Sequence, residues 1–265
     1  MRDFAAIYLQ QFRTTFASFV QYRASMLIWM IWHILEPLVY LVVWSAVAAT
    51  GNVQGFTARD FSAYFIVLML VNHVTYTWIF YEYEYRVRHG SLSLALLRPL
   101  HPIHADVIDN VSSKLITLPM MMLAALILGF IFRPAIHTSA ASVLLFLPAI
   151  ALAFSLRFIL EWTLALAAFW TTRVSAVNQA YYVAALFLSG QMAPLALFPP
   201  AVRDAAAALP FRWMISFPVE MILGRLSPGE AWAGLGAQAC WLAGALLLMR
   251  VVWRSGVRRY SAVGA

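Results

Sequence analysis

Charged side chains are scarce in this sequence of 265 residues. They make up 11% of it, whereas 63% of the residues are hydrophobic and the mean hydropathy is +0.78. A soluble domain carries roughly 25% charged residues, so this chain has too few to cover a globular surface. The composition excludes an ordinary water-soluble protein and indicates a membrane protein.

Cysteine and lysine are almost absent as well. The single cysteine, Cys240, excludes an internal disulfide and a cysteine metal cluster. The single lysine, Lys114, follows no glycine-rich loop, so the chain lacks the G-x-x-x-x-G-K-[ST] cradle for nucleotide phosphates. Neither a G-x-S-x-G elbow nor an H-E-x-x-H motif occurs. We therefore predict that the chain is not an enzyme, with no catalytic residue, metal or cofactor of its own.

What the sequence does contain is a series of long apolar runs. A run of roughly 18 or more apolar residues is typical of a transmembrane helix. The predicted spans are about 25–49, 60–82, 113–132, 141–170, 175–195 and 231–253. The predicted fold class is thus an all-α polytopic membrane protein with six transmembrane helices, formed as one domain by residues 1–265.

The basic residues predict the orientation of these spans. With the N-terminus inside, twelve of the 18 lysines and arginines lie on its side of the membrane and five on the other. The twelve are Arg2, Arg13, Arg23, Arg86, Arg88, Arg98, Lys114, Arg173, Arg250, Arg254, Arg258 and Arg259, and the five are Arg59, Arg133, Arg203, Arg212 and Arg225. An excess of Lys and Arg marks the cytoplasmic side, so both termini are predicted to be cytoplasmic. This asymmetry also explains the net charge of +7 without a nucleic-acid partner.

Two segments outside the regular spans have their own patterns. Residues 1–24 repeat apolar side chains at helical spacing, which predicts an amphipathic helix lying against membrane lipids, with a soluble docking helix as the alternative. The repeating residues are Phe4, Tyr8, Phe12, Phe16, Phe19 and Val20. Residues 194–229 stay apolar but are rich in proline, which interrupts helices. Short re-entrant helices on the outer side are predicted there, and a hydrophobic extracellular cap is the alternative.

The candidate intramembrane polar residues are His33, Glu36, Arg157 and Glu161, because burial of charge in a span is costly and usually has a reason. His33 and Glu36 are three residues apart, and Arg157 and Glu161 are four apart, so each pair shares a helix face. They predict either a polar translocation surface or an inter-subunit lock; a structural ion pair near the cytoplasmic boundary is the alternative for Arg157 and Glu161. The run "HPIHAD" places two histidines and an aspartate together, but nothing nearby completes a metal ligand set.

The loop at 83–112 interrupts the apolar pattern with "EYEYRVRHGSLSLALLRPLHP". Glu82 with Arg86 and Glu84 with Arg88 form two i,i+4 pairs that favour a helix. Gly90 can end that helix, and leucines after it predict a short second helix that Pro99 stops. Such an element suits docking into a groove of a soluble partner, and a membrane-surface connector is the alternative.

The order of these features resembles the permease subunits of ABC-2-type ATP-binding-cassette transporters, specifically the compact six-span group. The loop "VRHGSLSLALLRPLHP" is similar to the family's G-x-L-x-x-x-L-x-x-P-L stretch. The segment "LFLSGQMAPLALFPPAVRDAAAALPF" resembles its G-x-x-x-P-L-x-x-x-P…L-P signature. Together with the N-terminal helix, the resemblance covers the chain essentially from end to end.

The resemblance implies a subunit of an exporter in the bacterial cytoplasmic membrane. Two permease subunits, identical or different, would line one pathway, and a separate ATPase subunit would bind ATP and Mg²⁺. The ATPase-coupling loop would comprise Glu84, Arg86, Arg88, Gly90, Leu96, Leu97, Arg98 and Pro99, with Arg173 as a second contact. The outer gate would comprise Gly190, Pro194, Pro199, Pro200 and Pro210.

Two other functions remain open at this point. A self-sufficient secondary transporter or channel would need charged relay residues or an internal repeat, and neither is evident in the sequence. An intramembrane enzyme using His33 and Glu36, or His101, His104 and Asp106, lacks a convincing nucleophile, base and orienting group. The identity of the substrate does not follow from the sequence.

Overall fold

The computed structural model describes residues 2–51, 53–171 and 174–260 of the chain. Helices dominate these residues, and no β-strand occurs among them. The predicted all-α class is therefore confirmed. Arg173 lies outside the described residues, as do the side chains of Phe4 and Phe19, and so do the predictions made for them.

The first half of the chain forms a surface helix followed by three long helical stretches. Its helices are α1 (Arg2–Gln21), α2 (Arg23–Ala49), α3 (Ala58–Thr75), α4 (Ile79–Arg88), α5 (Leu92–Leu96) and α6 (Pro102–Phe132). The second half contains α7 (Ala140–Ala165), α8 (Ser175–Leu188), α9 (Pro200–Ala208), α10 (Pro210–Met214), α11 (Ser216–Ile222) and α12 (Pro228–Val257). Two short 3₁₀ helices lie at Leu166–Phe169 and Leu195–Leu197.

Local capping chemistry sets the starts of the long helices. Thr57 and Asp60 form a reciprocal capping box at α3, and Ser227 and Glu230 form another at α12. His101 caps α6 by accepting the backbone N–H of Ile103 at 3.3 Å. These side chains bind amide groups that have no partner in the first helical turn, so each helix begins at a defined residue.

Five helical stretches of the described chain are long and apolar enough to cross a membrane. They are Ile28–Ala49, Ala58–Arg88, Pro102–Phe132, Ala140–Phe169 and Pro228–Val257. The predicted span at 175–195 is instead the helix α8, which has 14 residues and is about 21 Å long at 1.5 Å per residue. The helix ends early because Gly190 adopts the left-handed backbone with φ +84° and Pro194 follows. A full crossing by this segment stays a prediction.

The two ends of the bundle are distinct faces. Near the C-terminus, Trp253 packs on His101 with ring centroids 4.4 Å apart, and the hydroxyls of Tyr260 and Ser93 lie 3.1 Å apart. We call this end, which carries the start of α1 and the end of α12, the terminal face. At the opposite end, the distal face, Arg59 donates to the carbonyl of Arg133 at 2.8 Å.

The helix α3 lies at the centre of the bundle. Its Phe61, Tyr64 and Phe65 are fully buried against α2, α6 and α7. By contrast, α2 and α6 expose many large apolar side chains, such as Trp32 and Phe130, on their outward surfaces. A central buried helix surrounded by helices with apolar outer faces is expected for a bundle whose solvent is lipid.

The surface helix α1 is attached to α6 by hydrogen bonds. Thr15 and Gln11 both donate to the Asp109 carboxylate, at 2.6 and 3.0 Å, and the Tyr8 hydroxyl lies 2.8 Å from His104 Nδ1. Phe16 remains exposed on α1. This arrangement leaves an apolar surface of α1 available, and the predicted lipid contact of this helix stays a prediction.

The proline-rich segment on the distal face forms short helices, as the sequence predicts. Pro200 and Pro210 occupy the first turns of α9 and α10, and Pro199 precedes α9 as its cap residue. Proline is well suited to such positions because its missing N–H would have no partner there. Helix α11 is buried against α7 and α3, so this segment is an integral part of the bundle.

The turn at Gly190 fixes this segment to the core. Tyr64 donates to the carbonyl of Gly190 at 2.9 Å, and the indole N–H of Trp44 donates to the carbonyl of Met192 at 2.8 Å. A Cβ on residue 190 would lie 2.8 Å from the Cβ of Ser216. Both the positive φ angle and this close approach therefore require glycine.

The first prediction concerns this turn. We expect Gly190→Ala to lower the free energy of unfolding in detergent by about 1–3 kcal/mol, because it adds backbone strain and a steric clash. Gly129→Ala in α6 is the matched control, since a Cβ there meets nothing within 4 Å. Thermal unfolding of the purified variants measures both effects, and equal stability of the two would contradict this account.

Candidate functional site

The long stretch Ala58–Arg88 is interrupted near its middle, between α3 and α4. Tyr76, Thr77 and Trp78 leave the helical conformation, and we call these three residues the helix break. An interruption of this kind releases backbone groups that need partners inside a membrane. The ammonium group of Lys114 in α6 supplies one by donating to the carbonyl of Tyr76.

A buried ion pair in α7 lies against the same break. Arg157 Nε donates to Glu161 Oε1 at 2.7 Å, and both side chains are almost completely buried. Arg157 also donates to Asn72 Oδ1 at 2.7 Å and to the hydroxyl of Thr75 at 3.1 Å, both in the last turn of α3. The sequence predicted this ion pair but not its partners in α3.

The Glu161 carboxylate has two further hydrogen-bond donors. Thr77 in the helix break donates to Glu161 Oε2, and Tyr181 in α8 donates to Oε1 at 3.1 Å. A buried carboxylate is tolerated when its charge is paired and its oxygens accept hydrogen bonds. Glu161 therefore joins the helix break, α7 and α8 through one side chain.

A cavity of about 310 Å³ opens beside this ion pair. We call it the polar cavity, and its walls come from the helix break, α4, α7, α8 and the turn after α8. The lining residues include Tyr76, Thr77, Phe80, Arg157, Glu161, Asn178, Gln179, Tyr181, Tyr182 and Gln191. Such a mixture of aromatic, amide and charged groups can bind a ligand with both apolar and polar parts.

Asn178 is the least satisfied member of this cavity. The residue is 8% exposed, yet neither Oδ1 nor Nδ2 of its side chain has a hydrogen-bond partner among the described residues. A buried amide without partners costs free energy, so each native example calls for an explanation. Water or another bound molecule in the polar cavity would supply the missing partners.

His33 and Glu36 do not act as one pair. The Glu36 carboxylate accepts a hydrogen bond from Tyr182 in α8 at 3.2 Å, beside the polar cavity. His33 instead packs edge-on against Tyr76 and His73, with ring centroids 4.8 and 5.6 Å away. The two residues thus face opposite sides of the helix break.

The predicted coupling loop is folded as two short helices on the terminal face. Glu84 and Arg88 form the expected i,i+4 pair at 3.1 Å, and Arg86 reaches Glu82 at 2.8 Å. Gly90 adopts φ +71° and separates α4 from α5. The local structure predicted from the charge spacing and the glycine is therefore present.

The described contacts divide the coupling residues into two groups. Arg86 is turned inward, where its second amino group reaches Asp106 at 2.6 Å, and Leu96 is partly buried in the core. By contrast, Leu97 is 83% exposed, and Arg98 and Pro99 are exposed beside it. Leu94, which is also exposed, extends this surface, and we call Leu94, Leu97, Arg98 and Pro99 the loop surface.

Asp106 connects the loop to the interior of the bundle. Its buried carboxylate accepts hydrogen bonds from Arg86 and, at 2.9 Å, from the indole N–H of Trp162 in α7. Trp162 immediately follows Glu161 in the chain and packs on Tyr83 of α4. Side-chain contacts thus join α4 and Asp106 to α7 at the residue next to Glu161.

The histidines near Asp106 have structural roles. His101 packs at tilted angles against Trp162 and Trp253, and this burial, followed by the nearby His104, lowers the pKa of His101. His104 contacts Tyr8 of α1. Among the described residues, no group of three or more His, Cys, Asp or Glu side chains could hold a metal ion.

The candidate gate residues lie together on the distal face. Gly190 and Pro194 are buried at the turn after α8, and Pro199, Pro200 and Pro210 mark the starts of α9 and α10. The sequence analysis missed Asn178, Tyr181 and Trp162, because their roles depend on contacts between helices distant in the chain. Their only sequence signal is a polar or hydrogen-bonding side chain within an apolar run.

Comparison with known proteins identifies the family. A family model described as ABC-2 family transporter protein matches residues 16–264. No curated protein and no solved structure matches the chain. The family match confirms the resemblance drawn from the loop and distal motifs.

The second prediction separates the buried ion pair from an exposed one. We expect Arg157→Met or Glu161→Leu to lower the free energy of unfolding by about 3–5 kcal/mol, because each leaves one buried charge unpaired. The double substitution should recover much of this loss. The analogous single and double changes at Glu84 and Arg88 are the control, with effects of about 1 kcal/mol or less. Additive losses at Arg157 and Glu161 would show that the two charges do not depend on each other.

Proposed function

Because the chain belongs to the ABC-2 transporter family and is a membrane permease component of an ATP-binding-cassette transporter, we propose that it forms half of an export pathway. A second permease subunit, identical or different, supplies the other half. The polar cavity is part of this pathway, and the transported molecule contacts Asn178 and the groups around Glu161. The observation that carries this proposal is the unpartnered, buried amide of Asn178 in a cavity lined by aromatic and charged side chains.

The loop surface is the proposed contact for a separate ATPase subunit, which binds ATP and Mg²⁺. Exposed leucines beside an arginine suit the docking of a short helix into a groove of a partner, where the apolar side chains are buried and the charged group fixes the orientation. This proposal makes the terminal face cytoplasmic, with both termini inside a bacterial cytoplasmic membrane. Arg173 is the proposed second contact.

Movement of the loop can reach the polar cavity along a short route. Arg86 in α4 is bonded to Asp106 of α6, which in turn accepts a hydrogen bond from Trp162 of α7. A displacement of α4 therefore acts on α7 next to Glu161. The distal segment around Gly190, Pro194, Pro199, Pro200 and Pro210 closes the other end of the pathway as its outer gate.

The third prediction tests coupling at the loop. In the complex with the ATPase subunit, the rate of ATP hydrolysis should depend on this chain. We expect Arg98→Glu to abolish that dependence, because it reverses the exposed charge without changing an intramolecular contact of the described residues. Arg250→Glu, also exposed but on α12, is the control and should leave that dependence intact. Co-purification of the ATPase with both variants checks assembly. Unchanged ATP hydrolysis in the Arg98→Glu complex would overturn the proposed contact.

The fourth prediction tests the pathway by chemical access. The chain has one cysteine, so Cys240→Ala provides a background without thiols. In that background we expect Gln179→Cys to react with a water-soluble thiol reagent, at a rate that ATP changes. Leu126→Cys, on the exposed apolar side of α6, is the control and should stay unreactive in lipid. Equal reaction at both positions, or no effect of ATP, would contradict a gated aqueous pathway.

A further inference from the structure

A second cavity lies on the other side of the helix break from the polar cavity. It has a volume of about 280 Å³ and is enclosed by α2, the end of α3, the break and α6. We call it the α2–α6 cavity. Tyr76 lines both cavities and forms part of the wall between them. The proposed transport pathway gives this cavity no role.

Lys114 is the one lysine or arginine among the lining residues of the α2–α6 cavity. Its ammonium group donates to the Tyr76 carbonyl and to Asn110 Oδ1 at 2.7 Å. An ammonium group has three donors, so one remains after these two bonds. None of the lining residues carries a carboxylate, and the cavity therefore favours an anion.

His73 provides an acceptor in the same cavity. The hydroxyl of Thr117 donates to the carbonyl of Ser113 at 2.8 Å, so it accepts from His73 Nε2, 2.9 Å away. A neutral His73 then carries its proton on Nε2 and leaves Nδ1 as an acceptor. His73 is 6% exposed, and its Nδ1 has no partner among the described residues. A ligand with a hydroxyl group would satisfy it.

The remaining walls are aromatic and face outward. Trp29 of α2 and Trp78 of the break pack edge to face with ring centroids 4.7 Å apart, and both are exposed at the surface of the bundle. Lys114 and Trp29 lie within the first few residues of the predicted spans 113–132 and 25–49. This depth corresponds to the boundary between lipid head groups and acyl chains, where tryptophan is enriched.

We propose that the α2–α6 cavity binds the head group of an anionic phospholipid that carries a free hydroxyl, such as a glycerol head group. The phosphate pairs with Lys114, the hydroxyl donates to His73 Nδ1, and Trp29 and Trp78 contact the glycerol backbone and the upper acyl chain. Basic pockets between transmembrane helices are suited to such head groups. The site needs neither ATP nor the ATPase, so it can fail or succeed independently of the proposed function.

Quenching of tryptophan fluorescence by brominated lipids tests the site on the purified full chain in detergent. Phosphatidylglycerol brominated near the head group should quench saturably, and brominated phosphatidylcholine should only partition without saturation. Trp29→Phe should reduce the quenched amplitude but not shift the midpoint, because it removes a fluorophore and keeps the apolar wall. Equal behaviour of the two lipids, or an unchanged amplitude in Trp29→Phe, overturns the proposal.

Lys114→Gln tests the charge, because glutamine can still donate to the Tyr76 carbonyl. A charged hydrogen bond contributes enough free energy that the midpoint for phosphatidylglycerol should rise by about tenfold. Arg250→Gln, at an exposed position of α12, is the matched control and should leave the midpoint unchanged. Thermal unfolding checks that each variant is folded. If Lys114→Gln does not fold, the Trp29→Phe measurement still tests the site.

Competition distinguishes a lipid site from a site for free anions. Inorganic phosphate and glycerol phosphate share the polar chemistry of the head group but lack the acyl chains. If neither inorganic phosphate nor glycerol phosphate displaces brominated phosphatidylglycerol at millimolar concentration, the cavity is a lipid site. Full displacement by inorganic phosphate would show that the cavity binds a free anion, and the proposal would be wrong.

Discussion

The need to satisfy polar backbone groups inside a membrane governs the centre of this protein. The second long helix is interrupted at Tyr76–Trp78, where the lost helical hydrogen bonds need other partners. Lys114 of α6 donates to the carbonyl of Tyr76, which lacks a helical partner. Arg157 of α7 donates to side chains in the last turn of α3. Two of the few charges in the chain therefore stabilise one irregular segment, and Glu161 balances the second of them.

The same interruption divides the interior into two chemically different spaces. On the α8 side, amides, tyrosines and a neutralised ion pair line the polar cavity. On the α2 side, a lysine without a lining carboxylate stands among tryptophans and histidines. Because Tyr76 belongs to both walls, a shift of the break would change both cavities together. The contacts of Asp106 with Arg86 and Trp162 join α4, α6 and α7 at the residue next to Glu161.

The sequence predicts local features of this arrangement well and its long-range contacts poorly. The spacing of Arg157 and Glu161, the paired charges before Gly90 and the prolines of the distal segment each act within a few residues, and each has its expected local structure. The break itself was not predicted, because "TYTW" contains neither proline nor glycine and lies within an apolar run. The inward turn of Arg86 depends on Asp106, which is twenty residues further along the chain. Such partners follow only from the packing of α4, α6 and α7.

The hydrogen bonding of the buried charges also bears on how the proposed transport is driven. A secondary transporter moves protons or ions through carboxylates that can change partners during the cycle. Here Glu161 already accepts hydrogen bonds from Arg157 in α7, Thr77 in the helix break and Tyr181 in α8, which fix its position. Glu36 accepts a side-chain hydrogen bond from Tyr182. The carboxylates of Glu36 and Glu161 do not form a chain across the described spans. Carboxylates with such fixed partners suit the proposed pathway, in which a separate ATPase subunit outside the membrane would drive the opening.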